Sequence, residues 1–412
     1  MRIALATTEF LTEKIYDGGL SNYIYRVGLS LRNLGHEPVV FVASDKNDTL
    51  DHNGIKVVRI KEKQLTWWYW LINILTLFRL NPALLYMVRS YHFKKVISHY
   101  HKTHPFDLVQ YTNLMALGIF KPGNIPYTIR ISSYQKLIDE ASGRKQTFRL
   151  WQKQYVQDIM LKRAKYVFGP SKIIGEYISQ KLNREIALIE TPFTLDAANN
   201  DNELLNELLT TIDHNPYVLY FGSLYPLKGL LDISKILEPL FEKYPSLYFV
   251  FIGKDIGSNG KPVLEILKEK AGKFSNRVIW YFSTHHNLLY PVIQNAELVV
   301  LPSRIDNFPN TCIEAMAFGK VVIGTYKTSF EQLIDPGESG ILCQHSNPPS
   351  LLHAINKGMS MTEAEKAEMG KKAMARIEKL RPELVVNELV EYYKMVIEEF
   401  KNVNTPKGHR AR

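Results

Sequence analysis

The chain has 412 residues, 45% hydrophobic and 22% charged, which are the proportions of a soluble globular protein with room for two domains or three. Two cysteines, Cys312 and Cys343, exclude a disulfide framework and a zinc site and read as reduced thiols. The net charge of +10 is uneven: residues 1–195 hold 27 Lys/Arg against 15 Asp/Glu, which leaves 24 against 26 for the rest, so the first half should attract an anionic partner, and a membrane surface fits better than nucleic acid because no nucleic-acid-binding motif is present.

Met1-Arg2-Ile3-Ala4-Leu5 is apolar but meets Thr7, Thr8 and Glu9 at once. That is too short for a signal-peptide core and predicts a first strand in a cytoplasmic protein. Leu20, Tyr23, Ile24, Val27, Leu31 and Leu34 recur at helical spacing, with Gly35 as the stop. Strands are predicted at Pro38–Ala43, Ile55–Ile60, Asp107–Tyr111, Tyr127–Ile131, Tyr166–Gly169 and Ile186–Ile189. Leu65–Phe78 stands apart, with no charge in 14 residues. A spanning helix needs ~20 apolar residues, so the segment is either a helix packed over the core or one lying in a membrane interface. Its tryptophans and the following Arg79, Arg89, Lys94, Lys95 and Lys102 suit the interface.

The polar stretch Asp196–Asn215 separates a second start. Strands are predicted at Tyr217–Gly222, Leu247–Ile252, Val278–Phe282, Leu298–Leu301 and Val321–Ile323, with helices between them. The alternation predicts an α/β protein of two Rossmann-like, doubly wound domains facing across a cleft. Their expected ranges are 1–195 and 196–381. Residues 382–412 are expected to form a helix, roughly Pro382–Phe400, packing back toward the first domain, and then a basic tail.

The strongest local signal runs from Leu298 to Gly319. A strand ends at Pro302, a loop carries Arg304 and Asp306, and a short helix starts near Asn310 or Thr311, each a good N-cap. Free amides at such a helix start suit a phosphate. Glu314, one turn in, suits a ribose diol, and Asp306 suits sugar hydroxyls. As plain helix-start acids, both would merely answer the helix dipole. His285-His286 has no third metal ligand at a suitable spacing.

This block resembles the nucleotide-sugar signature of the retaining family-4 glycosyltransferases (glycosyltransferase group 1), whose fold is GT-B. Their pattern is an acidic residue, seven residues, Glu, then Ala-Met-Ala-x-Gly; here Asp306 replaces the usual Glu and Glu314 matches. Gly222-Ser223-Leu224-Tyr225-Pro226-Leu227-Lys228-Gly229 resembles the diphosphate clamp, with Lys228 matching and Ser223 in place of Arg. Arg304 is the candidate to supply the missing cation. Gly18-Gly19 resembles the loop opening the first helix. Ser132 stands where a His is usual, and Arg130 and Ser132 are the acceptor candidates.

The resemblance implies transfer of a sugar from a UDP- or GDP-sugar to a hydroxyl, with retention and without a bound metal or other cofactor. Lys228, Asp306 and Glu314 would carry catalysis. Gly18, Gly19, Ser223, Lys228, Arg304, Phe308, Pro309, Asn310, Thr311 and Glu314 would hold the donor. Charge and the Trp-rich segment favour a lipid-linked or polysaccharide acceptor, bacterial envelope or exopolysaccharide assembly, and attachment to the inner face of the plasma membrane. A catalytically weak sugar-nucleotide-binding partner and a GT-B nucleotide-sugar epimerase are the competing readings. A Rossmann dehydrogenase is disfavoured, since no G-x-G-x-x-G follows either first strand.

Overall fold

A computed structural model describes residues 1–13, 18–61, 67–195 and 201–404. The chain forms two compact units. Met1–Lys136, Arg144–Pro192 and Arg381–Arg412 make the first; Leu137–Gly143 and Phe193–Leu380 make the second.

The first unit opens with β1 (Arg2–Thr7), α1 (Gly19–Asn33), β2 (Glu37–Ser44), β3 (Thr49–His52) and β4 (Ile55–Lys61). It continues through α2 (Trp67–Leu75), α3 (Asn81–Thr103), β5 (Leu108–Thr112) and β6 (Tyr127–Arg130). Then come α4 (Gln135–Ala141), most of which belongs to the second unit, α5 (Phe148–Arg163), β7 (Val167–Gly169), α6 (Lys172–Leu182) and β8 (Ala187–Leu188). The sheet order is β3-β4-β2-β1-β5-β6-β7-β8. All pairs are parallel except β3 with β4. The central strands are buried on both faces, as expected of a parallel sheet covered by helices. The apolar stripe of α1 faces this core, and Gly35 at φ +78° ends the helix with the His36 amide bonded to the Leu31 carbonyl.

The second unit runs α7 (Glu203–Thr211), β9 (Tyr217–Phe221), α8 (Leu230–Ser234), α9 (Leu237–Lys243), β10 (Tyr248–Ile252), α10 (Val263–Ala271) and β11 (Val278–Tyr281). It continues α11 (His286–Asn295), β12 (Leu298–Val300), α12 (Asn310–Ala317), β13 (Val322–Thr325), α13 (Phe330–Leu333), β14 (Ile341–Cys343), α14 (Pro348–Met359) and α15 (Glu363–Glu378). Its six strands are all parallel, in the order β11-β10-β9-β12-β13-β14. That is the 3-2-1-4-5-6 order of a doubly wound sheet. Discounting its two outer strands, β3 and β8, the first sheet has the same order. Each therefore has a switch point, β1/β5 in the first and β9/β12 in the second, where successive loops diverge and ligands bind.

The closing helix α16 (Pro382–Asn404) belongs to the first unit. Val385, Val386, Leu389, Val390, Tyr393 and Val396 enter its core beside Tyr23 and Val27. Tyr393 Oη donates to Gln110 Oε1 at 2.5 Å.

Several expectations need correction. Asp196–Asn215 is not a plain polar linker: residues 196–200 lie outside the described residues, and Glu203–Thr211 is a helix with Leu204, Leu205 and Leu208 buried. The unit boundaries fall after Pro192 and Leu380 rather than after residues 195 and 381. Two strands were missed. One is β3, paired with β4 through Asn53-Gly54, both at positive φ, the signature of a tight hairpin turn. The other is β14, too short to show a period. Of Leu65–Phe78, residues 65 and 66 lie outside the described residues; in the remainder Tyr69 and Asn73 are buried, while Trp67, Trp70, Leu71, Ile74 and Leu75 are exposed. Among the described residues, no helix is long and apolar enough to cross a membrane.

Truncation at the docked face of α16 should be costly. Leu389→Ala is expected to lose about 2–5 kcal/mol in denaturant unfolding. Leu384→Ala, at an exposed position of the same helix, should stay within about 0.5 kcal/mol of the parent.

Candidate active site in the second unit

The loops that follow β9 and β12 leave the sheet at its switch point. The β9 loop passes Gly222 at φ +123° and ends in a single 3-10 turn, Pro226–Lys228, before Gly229 at φ +79°. A Cβ on Gly229 would lie 2.0 Å from the Pro302 carbonyl oxygen. Only glycine allows this approach, and the approach brings the Lys228 turn against the β12 loop. The Arg304 amide bonds the Leu227 carbonyl at 2.8 Å and fastens the two loops together.

Lys228 Nζ consequently reaches Asp306 Oδ2 at 2.5 Å, with both side chains half-buried. Asp306 is held from two sides: its own Oδ1 accepts from the Asn307 amide, and its carbonyl accepts from Ser329 Oγ at 2.8 Å. Thr325 Oγ1 donates to the Ser303 carbonyl at 2.5 Å. Tyr220 lies below with its hydroxyl on the Ser223 carbonyl at 2.8 Å; burial, and then the Asp306 charge, raise its pKa. Ser329 and Thr325 had no signal in the sequence, because they act through backbone carbonyls.

α12 starts one residue earlier than a side-chain cap would place it. Pro309 is the N-cap and Asn310 the first helical residue, and no side chain caps the helix. Asn310 and Thr311 are therefore first-turn donors rather than caps. The amides at a helix start have no intrahelical acceptor and carry the positive end of the dipole. A Cβ on Gly222 would lie 3.5 Å from Thr311 Cγ2, so the β9 loop passes close to this helix start. Phe308 is buried in the core under the loop. Glu314 is 5% exposed, with its Oε1 3.9 Å from His286 Nε2, and His286 in turn stacks on Tyr290. The structure thus brings Ser223, Lys228, Asp306, Phe308, Pro309, Asn310 and Thr311 to one end of the sheet and sets Glu314 one turn along. Sequence spacing speaks only against His286 as a metal ligand and carries no signal of its place beside Glu314.

Arg304 is already engaged. Its Nη2 lies 3.3 Å from both carboxylate oxygens of Asp232, which is buried on α8. The buried thiols are inert by the same physics: desolvation raises both, Cys343 to about 12 and Cys312 well above its ordinary value, with Asp306 adding to the latter.

The first-unit candidates sit in another sheet. Gly18, at φ +104°, is the N-cap of α1, with open space where a Cβ would be, and Gly19 is its first residue. Ser132 follows β6; its amide donates to Asn113 Oδ1 at 2.8 Å, and its hydroxyl lies 3.0 Å from Thr112 Oγ1. Arg130 is 4% exposed. It stacks on Tyr23 at 3.5 Å and donates to Ser132 Oγ at 3.1 Å and Thr191 Oγ1 at 3.0 Å. Burial lowers its pKa. Among the described residues, no cluster of His, Cys, Asp and Glu has the arrangement of a metal site.

Two outcomes test this geometry. Gly229→Ala should destabilise the fold by on the order of 2–4 kcal/mol in thermal unfolding, since it adds both strain and a backbone clash. Neither cysteine should react with a disulfide reagent at pH 8 until the chain is unfolded.

Residues 206–376 match the family model for Glycosyl transferases group 1. Trehalose synthase of Pyrococcus horikoshii is 25% identical over 240 residues, 55% of this chain and 55% of that protein. The chain spans about half the length of the curated relatives it matches. Sucrose-phosphate synthase of Thermosynechococcus elongatus superposes with a TM-score of 0.76 at 18% identity, over 97% of this chain and 99% of that one. HepE of Anabaena, solved in complex with UDP and glucose, superposes with a TM-score of 0.69 at 15% identity, over 96% and 99%. The fold is GT-B, and within its second unit residues 206–376 are similar to the group 1 glycosyltransferase domain.

Proposed function

We propose that the chain transfers a sugar from a nucleoside diphosphate sugar to a hydroxyl acceptor, with retention at the anomeric carbon. The observation that carries this reading is the Lys228–Asp306 pair at the β9/β12 switch point, in the loop that leads to the uncapped start of α12. A departing nucleoside diphosphate gains negative charge as the glycosidic bond breaks. A fixed ammonium and fixed amides stabilise that charge without reorganising.

In this reading the donor diphosphate takes Lys228 and the amides of Asn310 and Thr311. Asp306, released from Lys228, accepts from hydroxyls of the donor sugar, and Glu314 accepts from the ribose diol. Ser223 donates one neutral hydrogen bond to the diphosphate, and Arg304, held by Asp232, adds positive potential. Gly18 and Gly19 leave backbone accessible in the first unit. The acceptor hydroxyl attacks on the face from which the diphosphate leaves. The C1–O bond to phosphate breaks as the new C1–O bond forms, and the departing phosphate oxygen takes the acceptor proton. Since Lys228 and the amides meet the leaving charge, no divalent cation is required. Ser132, backed by Arg130, is assigned to the acceptor.

The UDP in the HepE complex supports a uridine donor, with guanosine as the alternative. The excess of 27 basic over 15 acidic residues in the first 195 supports an anionic, lipid-linked or polysaccharide acceptor of the kind used in envelope or exopolysaccharide assembly. Ser223 and Ser132, standing where the resemblance has Arg and His, favour one second reading: a sugar-nucleotide-binding partner with little turnover.

A thermal-shift series with UDP, GDP and their sugars should raise the unfolding temperature for one base; silence from every nucleotide would sink the reading. Lys228→Ala should lower turnover by about 10²–10³-fold. Glu314→Gln should weaken donor binding by roughly 10–100-fold, the loss of a charge-assisted hydrogen bond. NMR of the product should show the donor's anomeric configuration, and turnover should survive EDTA. Tight donor binding with no transfer to any acceptor would select the second reading.

A further inference from the structure

α2 carries no charged residue and is apolar on two sides. Tyr69 packs with Leu84 and Val88 of α3 and donates its hydroxyl to Asn81 Oδ1 at 2.8 Å. The opposite side is open. Trp67, Trp70, Leu71, Ile74 and Leu75 are exposed and follow the i, i+3, i+4, i+7, i+8 spacing of one helix face. Trp67 is 76% exposed and Leu75 73%. A helix apolar all round is ordinarily covered all round, and this one is not.

The open face continues beyond the helix. Leu77 and Phe78 are exposed and held at φ +48° and +58°, a conformation that bulky side chains rarely adopt. The start of α5 adds three exposed aromatic rings, Phe148 on Trp151 at 5.6 Å and Trp151 on Tyr155 at 5.0 Å, each pair nearly parallel. Leu75, Leu77, Leu80 and Phe148 line one groove, and Gln152 Nε2 donates to the Arg79 carbonyl at 2.7 Å. The two clusters therefore form one surface. Four of the chain's five tryptophans lie on these two helices.

The segments that form this surface carry charge of one sign. No Asp or Glu occurs between residues 67 and 106, or between 141 and 157. Arg79, Lys145 and Arg149 are exposed. Exposed apolar patches of this extent mark a binding surface. Tryptophan and tyrosine favour the headgroup layer of a bilayer, and a border of cations without anions favours acidic headgroups. We infer that the α2–α5 face of the first unit docks onto an anionic lipid bilayer, its tryptophans at headgroup depth and Arg79, Lys145 and Arg149 on lipid phosphates. This inference does not rest on the proposed sugar transfer, and the lipid measurement needs no donor.

The test uses the full chain with phosphatidylcholine vesicles, alone and with phosphatidylglycerol added, at low salt. Co-flotation with the acidic vesicles and a blue shift of tryptophan emission are expected, both weakened by added salt. The combined variant Trp67→Ser, Trp70→Ser, Ile74→Ser should partition ~10-fold or more weakly, since interfacial binding scales with the apolar area buried. Its unfolding temperature and nucleotide binding should match the parent, because these side chains are exposed. Arg79→Glu, Lys145→Glu and Arg149→Glu together should abolish the preference for acidic vesicles. No flotation of the parent, equal flotation on both vesicle types, or unchanged flotation of the serine variant would each overturn the proposal. So would a parent dimer that the serine variant dissolves without any vesicle binding, which would mark the face as a contact between copies.

Discussion

β9 and β12 lie side by side in the second sheet, and everything at the candidate site follows from that adjacency. Strands on either side of a switch point send their next helices to opposite faces, which places the starts of both loops at the same end of the sheet. Gly229 then lets the β9 loop press against the Pro302 carbonyl, where any side chain would collide. That single close approach sets the height of the Lys228 turn relative to the β12 loop. The 2.5 Å ion pair with Asp306 is its consequence, not its cause.

The ion pair gives the site a resting arrangement. Exposed ion pairs contribute little to stability, and this one is only half-buried. Its value lies in keeping an ammonium and a carboxylate in place, each at little cost to a ligand that offers a better partner. Ser329 and the Asn307 amide fix Asp306 independently of Lys228, so its position does not depend on the ion pair. Arg304 differs. Its two contacts with buried Asp232 hold it as part of the loop framework.

The first unit has the same strand order around its switch point but a different character. Its loop ends carry hydroxyls and amides, Thr112, Asn113 and Ser132, over a buried Arg130 that stacks on Tyr23. An arginine buried beside neutral partners raises the local potential while remaining structurally committed. α16 closes this unit from the far end of the chain, with Tyr393 bonded to Gln110 at the heart of the sheet. Outside, the same unit presents its cations and its open aromatic face. The unit thus combines a polar end of its sheet with an open aromatic face on two of its helices.

Length, alternating periodicity and the ordered motifs were enough to determine an α/β chain of two doubly wound sheets, the placement of most strands, and the presence of Lys228 and Asp306 on neighbouring loops of one sheet. Such features are local: buried parallel strands read as apolar runs, and phosphate loops need glycine where the backbone turns. Other features had no local signal. β14 is three residues long, and Glu203–Thr211 looked polar because only one face of that helix is buried. Ser329, Thr325 and Asp232 support the site through partners distant in sequence. The helix start at Pro309 depends on how the β12 loop is held, not on which residues cap well. Most of all, the sequence left Leu65–Phe78 divided between a helix packed over the core and one lying in a membrane interface, because periodicity cannot distinguish a helix covered on all sides from one covered on a single side. Only the packing of α3 against one face of α2 decided that the other face is open.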